Sequence, residues 1–152
     1  MNFNALMSTG KDDWETPQHL FDAVNTRFGP FTVDAAANKR NTKCERFWDK
    51  WGAERDWTGE RIWCNPPYSR SAQKWFIAHA AKCEADIAVL LVPSRTDTIA
   101  WHKYIMASAS KIFFVKGRIT FVGAEAGAPF PSALVVFERS GRTGLLEVET
   151  WR

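Results

Sequence analysis

The sequence predicts an α/β fold: a single domain built as a three-layer sandwich, with antiparallel strands on the C-terminal side of its sheet. Three observations predict it. Segments of helical period alternate with short β-rich segments through the first two thirds of the chain. Residues 87–92 (Ile-Ala-Val-Leu-Leu-Val) form a continuous apolar run of strand length, the pattern of a strand covered on both faces. Beyond residue 110, β-rich stretches follow one another, separated by glycines and prolines.

Residues 1–10 read as a flexible N-terminal arm, and residues 11–152 as the domain. A helix is predicted over 16–28. Thr16 suits its N-cap and Pro17 its first turn, Leu20, Phe21, Val24 and Phe28 recur at helical spacing, and Gly29-Pro30 stops the run. Residues 31–33 form a short β-rich segment leading into Asp34. The stretch 35–55 is polar and without clear period, part helix and part loop. Residues 61–64 predict a strand, and 71–82 an amphipathic helix with Trp75, Phe76 and Ile77 among its buried candidates. After the 87–92 strand, 98–109 predict a helix carrying Trp101, Tyr104 and Ile105. The stretches 111–115, 118–122 and 132–137 are the closing β segments.

A chain of 152 residues is long enough for one real core and short of room for a second. Its 45% hydrophobic content excludes global disorder. No apolar run approaches the roughly 20 residues of a membrane span, and the N-terminus lacks the pattern of a secretory signal. Cys44, Cys64 and Cys83 are odd in number and widely spaced. They suggest neither a disulfide framework nor a zinc site, so a reducing cytoplasm is the expectation. His19, His79 and His102 are scattered too, and no metal site is expected. A net charge of +3 is compatible with a polyanionic partner. Lys39, Arg40, Lys43 and Arg46 cluster, as do Arg70 and Lys74; such runs are either solvated faces or phosphate contacts. Most of the eight tryptophans belong to packing, which leaves a minority for ring stacking.

The most informative motif is Asn65-Pro66-Pro67-Tyr68, at the end of the apolar strand 61–64. It has the residue types needed to methylate a planar exocyclic amine, whose lone pair is delocalised into the ring. Acceptors that hold the amine's hydrogens turn that lone pair toward an electrophilic methyl. The Asn65 side-chain carbonyl and the Pro66 backbone carbonyl are two such acceptors. The prolines stiffen the turn, and Tyr68 offers a flat face for the target ring.

Other segments allow two readings each. Asp34, followed by Ala35-Ala36-Ala37, sits where α/β sheets bind ligands, and its carboxylate suits the ammonium of a methionine moiety; it equally suits a helix cap. Asp56-Trp57 matches an acceptor for an adenine amino group beside an indole that covers the ring, or a turn followed by a core tryptophan. Trp14-Glu15-Thr16-Pro17 is either a helix start suited to a carboxylate ligand or an ordinary N-cap. Arg95 and Arg118 are the leading phosphate or base contacts, and each also suits a structural ion pair. Phe130, in the rigid stretch 127–132, reads as a core plug.

Taken together, these segments resemble the phage-type DNA N-6-adenine methyltransferase (Dam-like) family. The likeness spans residues 14–137 and rests on Trp14-Glu15-Thr16-Pro17, Phe31-Thr32-Val33-Asp34-Ala35-Ala36, Asp56-Trp57, Asn65-Pro66-Pro67-Tyr68, Pro93-Ser94-Arg95-Thr96-Asp97 and Gly117-Arg118-Ile119-Thr120-Phe121. It implies a Rossmann-like methyltransferase fold that binds S-adenosylmethionine and flips adenine out of DNA, in an enzyme encoded by a phage or prophage and acting in the bacterial host cell. By that likeness residues 65–68 are the catalytic loop. Trp14, Thr16, Pro17, Asp34, Ala35, Ala36, Asp56 and Trp57 belong to the cofactor site, with Thr16-Pro17 meeting the cofactor's carboxylate. Lys39, Arg40, Arg70, Lys74, Arg95 and Arg118 are the expected DNA contacts. Two departures stand out. Alanines replace the usual glycine-rich cofactor turn, and the strand that normally supplies an acidic partner for the ribose is hard to find, with Glu45 as a substitute. Two other functions use the same residues: methylation of a protein glutamine, whose amide poses the same chemical problem, and non-catalytic DNA binding with a decayed cofactor site.

Overall fold

A computed structural model describes residues 13–49 and 51–152. The expected arm, residues 1–10, lies outside the described residues. The rest forms one seven-stranded sheet covered on both faces. In chain order the elements are α1 (Gln18–Phe28), β1 (Val33–Asp34), β2 (Arg46–Phe47), a 3-10 turn (Gly52–Glu54), β3 (Arg61–Cys64), α2 (Arg70–Ala81) and β4 (Ile87–Pro93). A π-helical segment (Trp101–Ile105) then runs into α3 (Met106–Ser108), followed by β5 (Lys111–Val115), β6 (Ser132–Glu138) and β7 (Glu147–Trp151).

Across the sheet the order is β2-β1-β3-β4-β6-β5-β7. β2, β1, β3 and β4 are mutually parallel. β6 runs antiparallel to both β4 and β5, and β7 is parallel to β5. Only β6 therefore opposes the rest, and its pairing with β4 and β5 supplies the antiparallel strands expected on the C-terminal side. The carboxyl ends of β1 to β5 all open on one edge. β1 has β2 on one side and β3 on the other, so the chain leaves it in opposite directions. Ligand crevices of open α/β sheets form at such a reversal.

The strands read as two-sided because the pleat sends alternate residues to opposite faces. Ile62, Cys64, Ala88, Leu90 and Val92 point into a core completed by Phe76 and Ile77 of α2 and by Trp101 and Ile105. Trp63, Val89 and Leu91 point the other way, against Leu20, Phe21 and Val24 of α1 and against Ile119, Phe121 and Ala128. Arg61 anchors α1: its guanidinium donates to the carbonyls of Phe28 and, at 3.2 Å, Pro30, which ties the helix end to the start of β3.

Several expectations needed correction. Thr16 is not the N-cap; α1 begins at Gln18 with Pro17 in the cap position and no side-chain cap bond. Residues 118–122 alternate inward as a strand would, with Ile119 and Phe121 buried, yet form no strand. Their backbone bonds go to loops, from Val122 N–H to Glu15 O (3.0 Å) and from Ala128 N–H to Ile119 O (2.8 Å). The ambiguous 35–55 stretch holds β2, which is only two residues long, and the 3-10 turn. β7 had no counterpart among the expected elements. Among the described residues no helix is long and apolar enough to cross a membrane.

The 3-10 turn presses on the end of β1 at Gly52, where an added Cβ would lie 1.7 Å from the carbonyl oxygen of Ala35. Gly52→Ala is expected to lose about 1–3 kcal/mol of stability through overpacking against backbone that has little room to yield. Urea denaturation measures this, and an unshifted midpoint would contradict the packing described here.

Candidate active site

A cleft of about 260 Å³ opens at the carboxyl edge, at the reversal beside β1. Three parts of the chain build it: residues 13–16 ahead of α1, the loop that follows β1, and the turn that follows β3. Trp14, Thr16, Asp34, Ala36, Asn65, Pro66 and Pro67, all expected at a site, line it. So do Asp13, Glu15, Ala37, Asn38, Asn41, Lys43, Asp49 and Trp63, which sequence reasoning did not assign to it.

Asn65 is the pivot. Its Nδ2 donates to the backbone carbonyl of Trp14 and, at 3.0 Å, to Oγ1 of the buried Thr16. A carbonyl only accepts, so the NH₂ end of the amide must face Trp14, and the oxygen must face away. That oxygen, Oδ1, is buried and has no hydrogen-bond partner. A buried, unpaired acceptor costs roughly 1–3 kcal/mol, and such groups in folded proteins call for an explanation. Thr16 thus serves as an acceptor that orients Asn65.

The turn itself is held from below. Gln73 of α2 is buried, and its Nε2 donates to the Pro67 carbonyl at 2.9 Å and to that of Pro66 at 3.4 Å. From β4's end, Arg95 Nη1 donates to the Tyr68 carbonyl at 2.9 Å. The long Gln73 contact leaves lone-pair capacity on Pro66 O. Tyr68 does not present the open face expected of it. It is 3% exposed, with its ring 5.3 Å from Phe130 and 6.0 Å from Phe121, centroid to centroid. Trp14 packs edge-on against the same two phenylalanines. Burial also pushes the Tyr68 phenol well up. Phe130, expected as a core plug, is half-buried among these rings.

Asp34 ends β1 with its side chain turned to the following loop. Its carboxylate accepts from the backbone N–H of Lys43 at 2.9 Å and of Ala36 at 3.4 Å, which folds residues 36–43 back over the cleft. Burial raises its pKa to about 6, against the lowering effect of those two hydrogen bonds and of the Lys43 charge. Lys43 reaches Glu15 at 3.7 Å. With Asp13, Glu15, Asp34 and Asp49 set against this one lysine, the cleft wall is acidic and complements a cationic ligand.

Other expected site residues go elsewhere. Asp56 and Trp57 precede β3 and so lie toward the opposite edge of the sheet. Asp56 accepts from the Thr58 N–H, while Trp57 is a core residue whose Nε1 donates to Gly52 O at 2.9 Å and whose ring meets His79 edge-on. Ala35 is fully buried in the core, and Pro17 lies beneath the start of α1. Glu45 precedes β2. The acidic residue at β2's carboxyl end is Asp49, which lines the cleft. Pairing β2 with β1 brings it there, and a two-residue strand carries too little pattern to signal that. The 39–46 basic cluster divides. Lys39 and Arg40 are exposed after β1, with Arg40 3.7 Å from Glu15. Lys43 turns inward, and Arg46 pairs with Glu60 at 2.9 Å. Arg70, Lys74 and Arg95 line a second cleft on the other side of the 65–68 turn. Arg118, after β5, is exposed and donates to Ala128 O at 3.3 Å.

A family model for DNA N-6-adenine-methyltransferase (Dam) matches residues 4–140. A DNA N-6-adenine-methyltransferase of Escherichia phage T1 is 28% identical over 137 residues, covering 77% of this chain and 56% of that protein. One of Haemophilus phage HP1 is 27% identical over 146 residues, covering 90% of this chain and 84% of that protein. The putative methyltransferase YfdM of Escherichia coli K12 is 35% identical over 66 residues, 38% of this chain and 71% of that protein.

The raised pKa of Asp34 has a consequence for stability. The folded protein holds this proton more tightly than the unfolded chain, so the contribution is full below the unfolded value near 3.8 and is lost as pH rises through about 6. Wild-type stability relative to Asp34→Asn is expected to fall by on the order of 3 kcal/mol between pH 4 and pH 7. Denaturant titrations of both proteins across that range measure it; parallel pH curves would contradict a buried, proton-binding Asp34.

Proposed function

Because the chain belongs to the DNA N-6-adenine-methyltransferase (Dam) family, we propose that it transfers a methyl group from S-adenosylmethionine to N6 of adenine in DNA. The observation that carries this reading is the buried, unpaired Oδ1 of Asn65. An acceptor fixed in place before any ligand arrives suits an amine whose hydrogens must be held. The Pro66 carbonyl, only weakly engaged by Gln73, is the second acceptor. With both N–H bonds held, the N6 lone pair turns out of the ring plane, so that the N–C bond would form as the donor's methyl–sulfur bond breaks, the bonding pair staying on the departing thioether, and one amine proton would depart to solvent. Both acceptors act where positive charge develops on the nitrogen.

The acidic cleft is the cofactor site in this reading. S-adenosylmethionine carries a sulfonium and an ammonium against one carboxylate, so its net charge complements the wall of Asp13, Glu15, Asp34 and Asp49. When bound it supplies the electrophilic methyl. Asp49, at the end of β2, suits the ribose hydroxyls as an acceptor. Ala36 and Ala37 let the ligand approach the backbone where other sites use glycine. The reversal of strand order at β1 and the parallel strands around it support a Rossmann-like methyltransferase fold.

DNA meets the same edge. Lys39, Arg40, Arg70, Lys74, Arg95 and Arg118 all follow strands that end there, and they contact phosphates. The target adenine leaves the helical stack to reach Asn65. For it to stack on Tyr68, the loop bearing Phe121 and Phe130 must yield, because those rings now pack against the tyrosine. The T1 and HP1 relatives are phage proteins, and we place the reaction in the bacterial host cell.

Incubation with methyl-labelled S-adenosylmethionine and either DNA or protein extract tests this reading, with digestion to nucleosides or amino acids. Label in N6-methyladenine is expected. Label in methylglutamine would replace DNA by protein as substrate, and no transfer at all would leave a binding module. Thr16→Val keeps the shape of the side chain and removes one of the two acceptors that orient Asn65. It is expected to slow methylation about 3- to 10-fold, the worth of one ordinary hydrogen bond. A wild-type rate would mean that the Trp14 carbonyl alone orients the amide.

A further inference from the structure

The second cleft, of about 340 Å³, lies between the start of α2 and the segment after β4. Its wall includes Arg70, Gln73, Lys74, Arg95, Asp97 and Trp101. Arg70, Lys74 and Asp97 are exposed, and none of their side chains has a hydrogen-bond or ion-pair partner among the described residues. Two uncommitted cations and one uncommitted carboxylate therefore face this space. Apolar surface completes it: Ile77, the buried Trp101, and Ile99, which is 63% exposed. The rare π-helical segment Trp101–Ile105 starts at this wall, and π turns are frequent at functional sites.

We infer that this cleft takes up a nucleotide neighbouring the target adenine and selects there a base whose major-groove edge carries an amino group, adenine or cytosine. The inference rests on the reading of the protein as a DNA adenine methyltransferase. Arg70 and Lys74 suit the phosphate, and the exposed Ile99 suits the deoxyribose beside it. Asp97 sets the choice. A carboxylate can only accept, so at the major-groove edge it pairs with the N6 amino group of adenine or the N4 amino group of cytosine and repels O6 of guanine or O4 of thymine; the amino group of guanine lies on the minor-groove edge.

Selection and chemistry share parts here. Gln73 and Arg95 line this cleft while also gripping the 65–68 turn, through Pro67 O and Tyr68 O respectively, each at 2.9 Å. A base that seats well steadies the same two side chains that hold the turn under Asn65. This gives the domain a way to read sequence from a cleft beside its active site.

The test is a set of duplexes with one adenine placed between every combination of neighbouring bases, methylated by wild type, Asp97→Ala and Lys74→Ala. Wild type is expected to favour adenine or cytosine over guanine or thymine about tenfold at one neighbouring position. Asp97→Ala should flatten that preference to below about twofold. Lys74→Ala should slow all duplexes alike and lessen the salt dependence while the preference remains. Thermal melting of both variants checks that the fold is intact. Indifference of the wild type to neighbours, or an undiminished preference in Asp97→Ala, would overturn the inference while leaving DNA methylation standing. Absence of DNA methylation by the wild type would overturn both.

Discussion

Everything at this site depends on one side chain being forced to face a single way. The Asn65 amide cannot rotate by 180° without setting its oxygen against the Trp14 carbonyl, two acceptors with no proton between them. Thr16 Oγ1 adds a second contact to the same NH₂ group. The result is an amide oxygen that is buried, aimed and unpaired. The arrangement costs folding free energy, and in the proposed function that cost is offset only when a substrate N–H arrives. Strain and unmet polar groups tend to persist at sites where the surroundings over-determine them.

That constraint explains how the surrounding elements are placed. The segment before α1 has to cross the end of β3 for Trp14 and Thr16 to reach Asn65, and Arg61 fixes α1 against the same strand from its other end. Beneath the turn, Gln73 and Arg95 satisfy the carbonyls of Pro67 and Tyr68, which leaves the upper surface unencumbered. Two prolines remove the N–H groups that would otherwise need partners there. The two clefts flank this turn and differ in charge. The first sets four carboxylates against one lysine, whereas the second sets Arg70, Lys74 and Arg95 against Asp97.

Much of this was legible in the sequence where pattern is strong. The apolar run of β4, the β3 strand ending in Asn-Pro-Pro-Tyr, and α2 with Phe76 and Ile77 inward all follow from side-chain period. So does the burial on α1, although its start does not. Thr16 looked like an N-cap because local pattern favours that role, and only the long-range pairing with Asn65 reassigns it. Asp49 was invisible because β2 has two residues, and its position comes from pairing with β1 rather than from its own sequence. Asp56-Trp57 misled because the motif is local, whereas its place at the amino end of β3 is a matter of topology. Residues 118–122 had the alternation of a strand but no neighbour to complete a ladder. Tyr68 was correctly placed after Asn65, but its enclosure by Phe121 and Phe130 depends on a loop more than fifty residues away. Gln73, which holds the turn, carries no motif at all.

In the proposed function, Asn65 Oδ1 waits for an amine hydrogen. Single-turnover methylation of an adenine-containing duplex by Asn65→Ala, alongside its S-adenosylmethionine affinity, tests it most directly. The rate is expected to fall by about 10²–10³, the worth of one preorganised contact to developing charge, with cofactor affinity close to wild type. A rate within a few-fold of wild type would contradict it.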